Sequence, residues 1–310
     1  MIEPVVTGSA GFAGREGPYE PLLVTSAAGI DASTELGRMV RGFFDNGGER
    51  AYVAGTLAAL EAVEDIELLC PAPEQTEEAI AHCERRRDRL AIVSLPAGLH
   101  GFEETLAARP SEPSSFAAVH HPWVRAGGEL TPPGGHVAGM YASGNDEMRG
   151  LGEPPLERSL PEQEVKALVE ARINPLRDFR ASGKGVRVWG ARTLDPAPEW
   201  RYVPVRRLLM FLETSIERGL RWVVFEPNSA PTWQNVRNEV ASFLTTQWRD
   251  GKLQGRTPAE AFFVRCDRTT MTQDDIDNGR LVCVIGVAAL RPAEFVIFRI
   301  GEWTADRPCP

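Results

Sequence analysis

Over its first 126 residues the chain alternates short apolar extended runs with helical patterns, and this alternation constrains the fold more than any single motif. Extended runs are expected at Val5–Phe12, Leu22–Thr25, Arg50–Ala54, Ile66–Cys70, Ala91–Leu95 and Phe116–His120. Between them, Thr34–Asp45 places Leu36, Met39, Val40 and Phe43 at helical spacing, and Asn46-Gly47-Gly48 supplies a stop. Glu74–Arg87 places Ala79, Ile80 and Cys83 on one side of a second helix. Strand–helix–strand alternation predicts βαβ units and a mainly parallel sheet, an α/β domain over residues 1–126.

The pattern then breaks. Residues 127–161 are rich in Gly, Pro and small polar residues and read as loops around a short helix, followed by a helix over Pro161–Ala171 with Pro161 in its first turn. Residues 127–180 are thus expected to be a loop-rich connection, and 181–310 an α+β domain. In that last part, Val205–Arg218 carries Val205, Leu208, Leu209, Leu212 and Ile216 on one helical face before Gly219. Arg221–Glu226 reads as a strand. Pro231 opens a longer helix with Val236, Val240, Phe243 and Leu244 inward, ending before Gly251. Thr257-Pro258-Ala259-Glu260 reads as a capping box, Phe262–Cys266 as a strand, and Thr272 as the cap of a short helix with Asp274 and Asp275 in its first turn. Leu281–Leu290 and Glu294–Gly301 are expected to be antiparallel strands joined at Arg291-Pro292. No period of 20–50 residues repeats, which argues against a solenoid.

Composition excludes several classes of function. A chain of 310 residues can bury roughly three quarters of its unfolded surface, so it needs neither disulfide nor metal to hold a core. The net charge of −9 opposes binding to a phosphate backbone. Cys70, Cys83, Cys266, Cys283 and Cys309 are odd in number and contain no CxxC pair, as expected of reduced, mostly buried thiols. No apolar run reaches about 18 residues, so no membrane insertion is expected. The first residues, MIEPVVTGSAGFAG, lack the basic and apolar regions of a signal peptide. The expected site of assembly is the cytoplasm, with any extracellular particle released by lysis.

Catalytic and ligand-binding patterns fail on their own geometry. His120-His121 sits at a strand end, where adjacent side chains face opposite sides and cannot share a metal; His82, His100 and His136 have no ligand-spaced partner. Gly8, Gly11 and Gly14 make GxxGxxG rather than GxGxxG, and Pro18 and Pro21 stand where a dinucleotide fold needs a helix. Asp274–Gly279 resembles a calcium loop, but Ile276 and Ile285 would occupy ligand positions. Ser143 lacks a GxSxG elbow, and no HExxH or Walker pattern occurs. No cofactor and no enzymatic activity are expected.

Beyond this point the sequence speaks through likeness. VWGARTL (188–194), WRYVPVRRL (200–208), WVVFEPN (222–228), AFFVRCD (261–267), TMTQDDIDNGRL (270–281) and PAEFVIFRIGEW (292–303) resemble, in order and spacing, the contractile tail sheath family of phage tails, tailocins, extracellular injection systems and type VI secretion sheaths. PLLVTS (21–26), RGFFDNGGERAYV (41–53), HHPWV (120–124), PPGGHVAGMYA (132–142) and INPLRDF (173–179) extend the likeness over almost the whole chain. It implies a structural subunit that forms hexameric rings stacked helically around an inner tube. It implies as partners further copies of the chain, the tube protein, and baseplate and terminal cap proteins. The assembled product would be a virion tail or an extracellular contractile particle.

In the family, terminal arms add strands to a neighbour's sheet. Here that role falls on Glu294, Phe295, Val296, Ile297, Phe298, Arg299 and Ile300, in the strand 294–301. The family's placement of the Pro231–Asp250 helix toward the lumen points to Arg249, Lys252 and Arg256 as tube contacts. Family members usually carry a further N-terminal arm, whereas here Met1 falls almost on the first strand. Two other readings remain: a non-contractile adaptor, cap or baseplate paralogue of sheath fold, and a subtilisin-like hydrolase, which would need a converging Ser, His and Asp.

Overall fold

The structure is a computed structural model that describes residues 1–144, 151 and 154–290. Its larger part is an eight-stranded sheet built from β1 (Ser9–Ala13), β2 (Leu22–Val24), β3 (Arg50–Ala54), β4 (Leu68–Pro71), β5 (Leu90–Ser94), β6 (Ala117–His121), β9 (Ile173–Asp178) and β10 (Val186–Val188). The spatial order is β10-β9-β6-β5-β4-β1-β3-β2. The six inner strands run parallel, and the two edge strands, β2 and β10, run antiparallel to their neighbours. Strands β1, β4, β5 and β6 are buried at every position. Burial on both faces explains why they read as continuous apolar runs rather than alternating ones.

Helices α1 (Glu35–Asp45), α2 (Thr76–Arg86), α3 (Phe102–Ala107), α4 (Gly134–Ala142) and α5 (Glu162–Glu170) cover this sheet. The short hairpin β7 (Val124–Ala126)–β8 (Glu129–Thr131) turns at Gly127 and Gly128, both at positive φ, as a two-residue hairpin loop requires. Helix α4 is buried at eight of its nine positions and packs on β5, β4 and β1, with α1 against it. The two helices approach closely enough to need glycine. A Cβ at Gly135 would lie 2.0 Å from the Met39 carbonyl oxygen, and one at Gly139 2.2 Å from that of Phe43. The region expected to hold loops around a short helix therefore contributes a central core helix. Its Gly-rich composition serves close packing as well as turns.

The second part holds α6 (Val203–Gly219), α7 (Ala230–Arg249), α8 (Pro258–Ala261), β11 (Phe262–Arg265), α9 (Gln273–Asp277) and β12 (Val284–Val287). Its own core gathers Leu212, Trp233, Val236, Val240, Phe243, Leu244, Leu253, Ala261, Cys266 and Met271. Helix α6 belongs to both cores: Val203 and Met210 pack with the large sheet, Leu212 with α7. The first residues do the same, with Ile2 buried in the second core and the Val5 N–H donating to Ser215 Oγ at 3.1 Å before β1 begins.

Several sequence expectations need correction. Arg221–Glu226 is not a strand. Residues Arg221–Phe225 form 3-10 turns, with Val223 N–H donating to the Leu220 carbonyl and Glu226 N–H to that of Val223. The run has strand composition, but it follows α6 directly and pairs with no strand among the described residues. Pro161 caps α5 from outside rather than occupying its first turn. The Thr257 side chain makes no capping bond; Glu260 instead accepts the Arg256 N–H at 2.8 Å. Thr272 does cap α9, in a reciprocal box with Asp275. Strand β12 is shorter than expected and pairs with β11; its expected partner, 294–301, lies outside the described residues. The large sheet continues through β9 and β10, well beyond residue 126.

Candidate assembly surface

Four of the five histidines weighed as catalytic or ligand candidates, His82, His120, His121 and His136, are buried in the core, and His100 is exposed. His120, His121 and His136 are buried, and burial depresses each imidazole to about 4, so all three are neutral at pH 7. The Arg158 guanidinium beside His121 adds to its depression. His120 and His121 point to opposite sides of β6; His120 packs edge-on to Tyr141, while His121 meets Arg158, which pairs with Glu164. Among the described residues no group of His, Cys, Asp and Glu could hold a metal ion.

What the surface offers instead is backbone and apolar side chain. Strands β11 and β12 form a two-stranded antiparallel sheet with Phe262 opposite Val287 and Arg265 opposite Val284. Its inner face, Phe262, Val264, Cys266, Cys283, Ile285 and Val287, packs into the second core. Arg237 on α7 fixes the end of β11 by donating to the Cys266 carbonyl at 3.0 Å. Its outer face carries Phe263 (46% exposed) and Val284 (42%). The Phe263 ring lies over Gly286, where a Cβ would come within 2.2 Å of it, and Arg265 stacks 5.0 Å from the ring centre. Residues 253–254 reach the end of β12, where Gln254 N–H donates to the Ala288 carbonyl. Among the described residues neither strand has a second strand neighbour. Two-stranded sheets are marginal alone, and an unpaired edge is a template for another strand.

A second feature lies at the far end of α7. Arg249 closes that helix, and Arg256 follows in the next turn; both are exposed, and neither guanidinium has an ion-pair partner among the described residues. Lys252 differs. Its ammonium donates to Gln247 Oε1 at 2.9 Å and sits 4.3 Å from the centre of the Phe211 ring. The expected trio thus comprises two free guanidinium groups and one ammonium already engaged within the chain. A third feature is not visible in the sequence pattern: Val224 and Phe225 are 79% and 87% exposed in the 3-10 segment, whereas a strand there would bury one of them. The seven residues expected to exchange, Glu294 to Ile300, lie outside the described residues.

The joint between the two parts is polar as well as apolar. Arg207 on α6 donates from Nε to Glu67 Oε1 at 2.7 Å and from Nη2 to the Tyr141 carbonyl at 3.1 Å. The other Glu67 oxygen accepts the Gly8 N–H at 2.5 Å. Arg218 reaches Asp65 at 3.3 Å and the Glu64 carbonyl at 2.7 Å.

Comparison with known proteins places this architecture. The family of phage tail sheath C-terminal domains matches residues 195–301. The tail sheath protein of Enterobacteria phage T4 is 28% identical over 130 residues, which is 42% of this chain but only 18% of that protein. Among solved structures, a chain of the PVC sheath complex, an extracellular contractile injection system in its contracted state, superposes with a TM-score of 0.86 at 28% identity, covering 99% of this chain and 96% of that one. A chain from the contracted baseplate of the anti-feeding prophage gives 0.85 at 28% identity over 97% and 94% of the two chains. A sheath tail protein from Desulfitobacterium hafniense, at 11% identity and a TM-score of 0.64, shares the fold. The C-terminal family match and the near-complete structural coverage together make the chain similar, over nearly its whole length, to subunits of contractile sheath and baseplate complexes.

Proposed function

We propose that the chain is a structural, force-generating subunit that polymerises as stacked hexameric rings around an inner tube and contracts to drive the tube through a target envelope. The observation that carries this reading is the likeness, over essentially its whole length, to a subunit of a contracted sheath. The energy for one firing needs no active site: a polymer held in a higher-energy packing of rigid subunits releases it on rearrangement.

In this reading the open edges of β11 and β12 receive strands from neighbouring copies, and residues 294–301 are the strand this chain donates in turn. Main-chain hydrogen bonds to such a strand tolerate changes of angle between rigid bodies, so the mesh shortens without coming apart. Arg249 and Arg256, with Lys252 beside them, face the tube and hold it by exposed ion pairs of about 0–1 kcal/mol each, weak enough to release on contraction. Assembly takes place in the cytoplasm, and the product is a virion tail or free particle with baseplate and cap proteins at its ends.

The test is a chain truncated after residue 293, imaged beside the full chain by electron microscopy. The proposal expects soluble folded subunits and no tubes from the truncated chain. Full-length tubes with normal shortening would remove strand exchange through 294–301. A second reading, a baseplate adaptor of sheath fold, draws on the likeness to a chain in the anti-feeding prophage baseplate. It expects single rings or monomers from the full chain under the same conditions.

A further inference from the structure

We propose that Cys266 and Cys283 are a cross-strand redox pair that closes into an intrachain cystine, a modification site in the C-terminal sheet. The pair follows from strand register. Arg265 stands opposite Val284 at the end of the β11–β12 ladder, so the next residues outward, Cys266 and Cys283, are the next cross-strand pair. Parity places both on the inner face with Phe262, Val264, Ile285 and Val287, near enough for each thiol to influence the ionisation of the other.

The ladder also fixes which kind of pair this is. Ala288 N–H donates to the Ala261 carbonyl at 2.8 Å, which makes 261/288 a hydrogen-bonded pair. Alternation then makes 263/286 and 265/284 hydrogen-bonded pairs, and 262/287, 264/285 and 266/283 the intervening ones. At such positions the Cα atoms stand about 4.5 Å apart, inside the roughly 4.4–6.8 Å window that a disulfide spans. Both chain segments are held at this point. The Cys266 carbonyl accepts from Arg237, and Thr270 Oγ1 donates to the Val282 carbonyl at 2.8 Å, tying the intervening loop across itself.

The thiols are free in this structure, and they differ in access: Cys266 is fully buried and Cys283 half-buried. Closure therefore starts at Cys283. Its thiolate attacks a low-molecular-weight disulfide and expels one thiolate, leaving a mixed disulfide. The Cys266 thiolate then attacks the Cys283 sulfur and expels the second. Two protein thiols lose two protons and two electrons, and the small disulfide is reduced to two thiols. Burial and the neighbouring sulfur push the Cys283 thiol up to about 12, so little thiolate is present at neutral pH and closure is slow. The pair stays reduced during folding in a reducing compartment and closes on prolonged exposure to an oxidising one. The cystine would cross-brace the sheet by closing the loop 267–282, which contains the capped helix α9.

The test uses the folded full-length chain held in oxidised glutathione, with a parallel sample in dithiothreitol. Non-reducing digestion and mass spectrometry are expected to show one peptide linking Cys266 to Cys283 within a single chain. Its rate of appearance should rise about tenfold per pH unit between pH 7 and 9. The oxidised chain should melt several degrees higher than the reduced one, and Cys283→Ser should lose both the linked peptide and the shift. The proposal is overturned if the linked peptide forms only in the urea-unfolded chain, if Cys283 joins a second chain instead, or if closure leaves or lowers the melting temperature.

Discussion

Replacing Glu67 with alanine tests how the two cores are joined. Glu67 accepts Arg207 at 2.7 Å and the Gly8 N–H at 2.5 Å, with 11% of its side chain exposed against 12% for Arg207. Removing one member of a buried pair costs about 3–5 kcal/mol, because the other charge is left desolvated. The residual exposure of both groups favours the lower end of that range. The lost acceptor for Gly8 adds about 1 kcal/mol, for a total of about 4 kcal/mol. Arg207→Met should cost a similar amount by stranding the carboxylate, and the double variant Glu67→Leu/Arg207→Met should recover much of the loss, giving a coupling of about 2 kcal/mol or more. Urea denaturation read by far-ultraviolet circular dichroism and by tryptophan fluorescence gives both values. Trp222, Trp233 and Trp248 lie in or against the second core and report it. A loss below about 1 kcal/mol, or a coupling near zero, would refute the claim that this buried pair joins the two parts.

Three further outcomes follow from the same structure. Because His120, His121 and His136 titrate near 4 when folded and near 6.5 when unfolded, the unfolded state binds protons first as pH falls. Stability is then fully present above pH 6.5 and is lost down to pH 4, by about 3–4 kcal/mol per pH unit near pH 5 for the three together; His136→Phe should reduce the slope of denaturation midpoint against pH by about a third. Gly135→Ala would drive a Cβ to 2.0 Å from the Met39 carbonyl oxygen, so it should cost about 3 kcal/mol or more in a denaturation titration, whereas Gly98→Ala, with open space around it but φ at +77°, should cost about 1 kcal/mol. Arg249→Glu with Arg256→Glu should weaken co-sedimentation with the inner tube and remove its salt dependence while leaving the melting temperature unchanged, since neither guanidinium is paired within the described residues.

The βαβ alternation is legible because β1, β4, β5 and β6 are short, largely apolar runs buried on both faces and α1 and α2 keep their helical period. Thr34–Asp45 and the Thr272 cap emerge where hydrophobic period and capping chemistry agree. The core position of α4 is hidden by its glycines, which signal turns in a linear reading yet permit helix contact here. The 3-10 segment at Arg221–Phe225 reads as a strand because Trp-Val-Val-Phe has strand composition, and pairing depends on neighbours that composition does not name. The assembly surface is legible only through family likeness. An open sheet edge is a property of what fails to pair, and in the sequence Lys252 looks as free as Arg249, although its ammonium lies against Phe211 and Gln247.

The central claim, that copies of this chain form a polymer able to change shape, is tested most directly by cryo-electron microscopy of the full chain assembled with its tube and baseplate, before and after triggering. The account predicts six-fold rings in a continuous helical mesh whose rise per ring falls and whose diameter grows, with the fold of each subunit preserved. A single ring that never stacks, or a tube of unchanging rise and width, would contradict it.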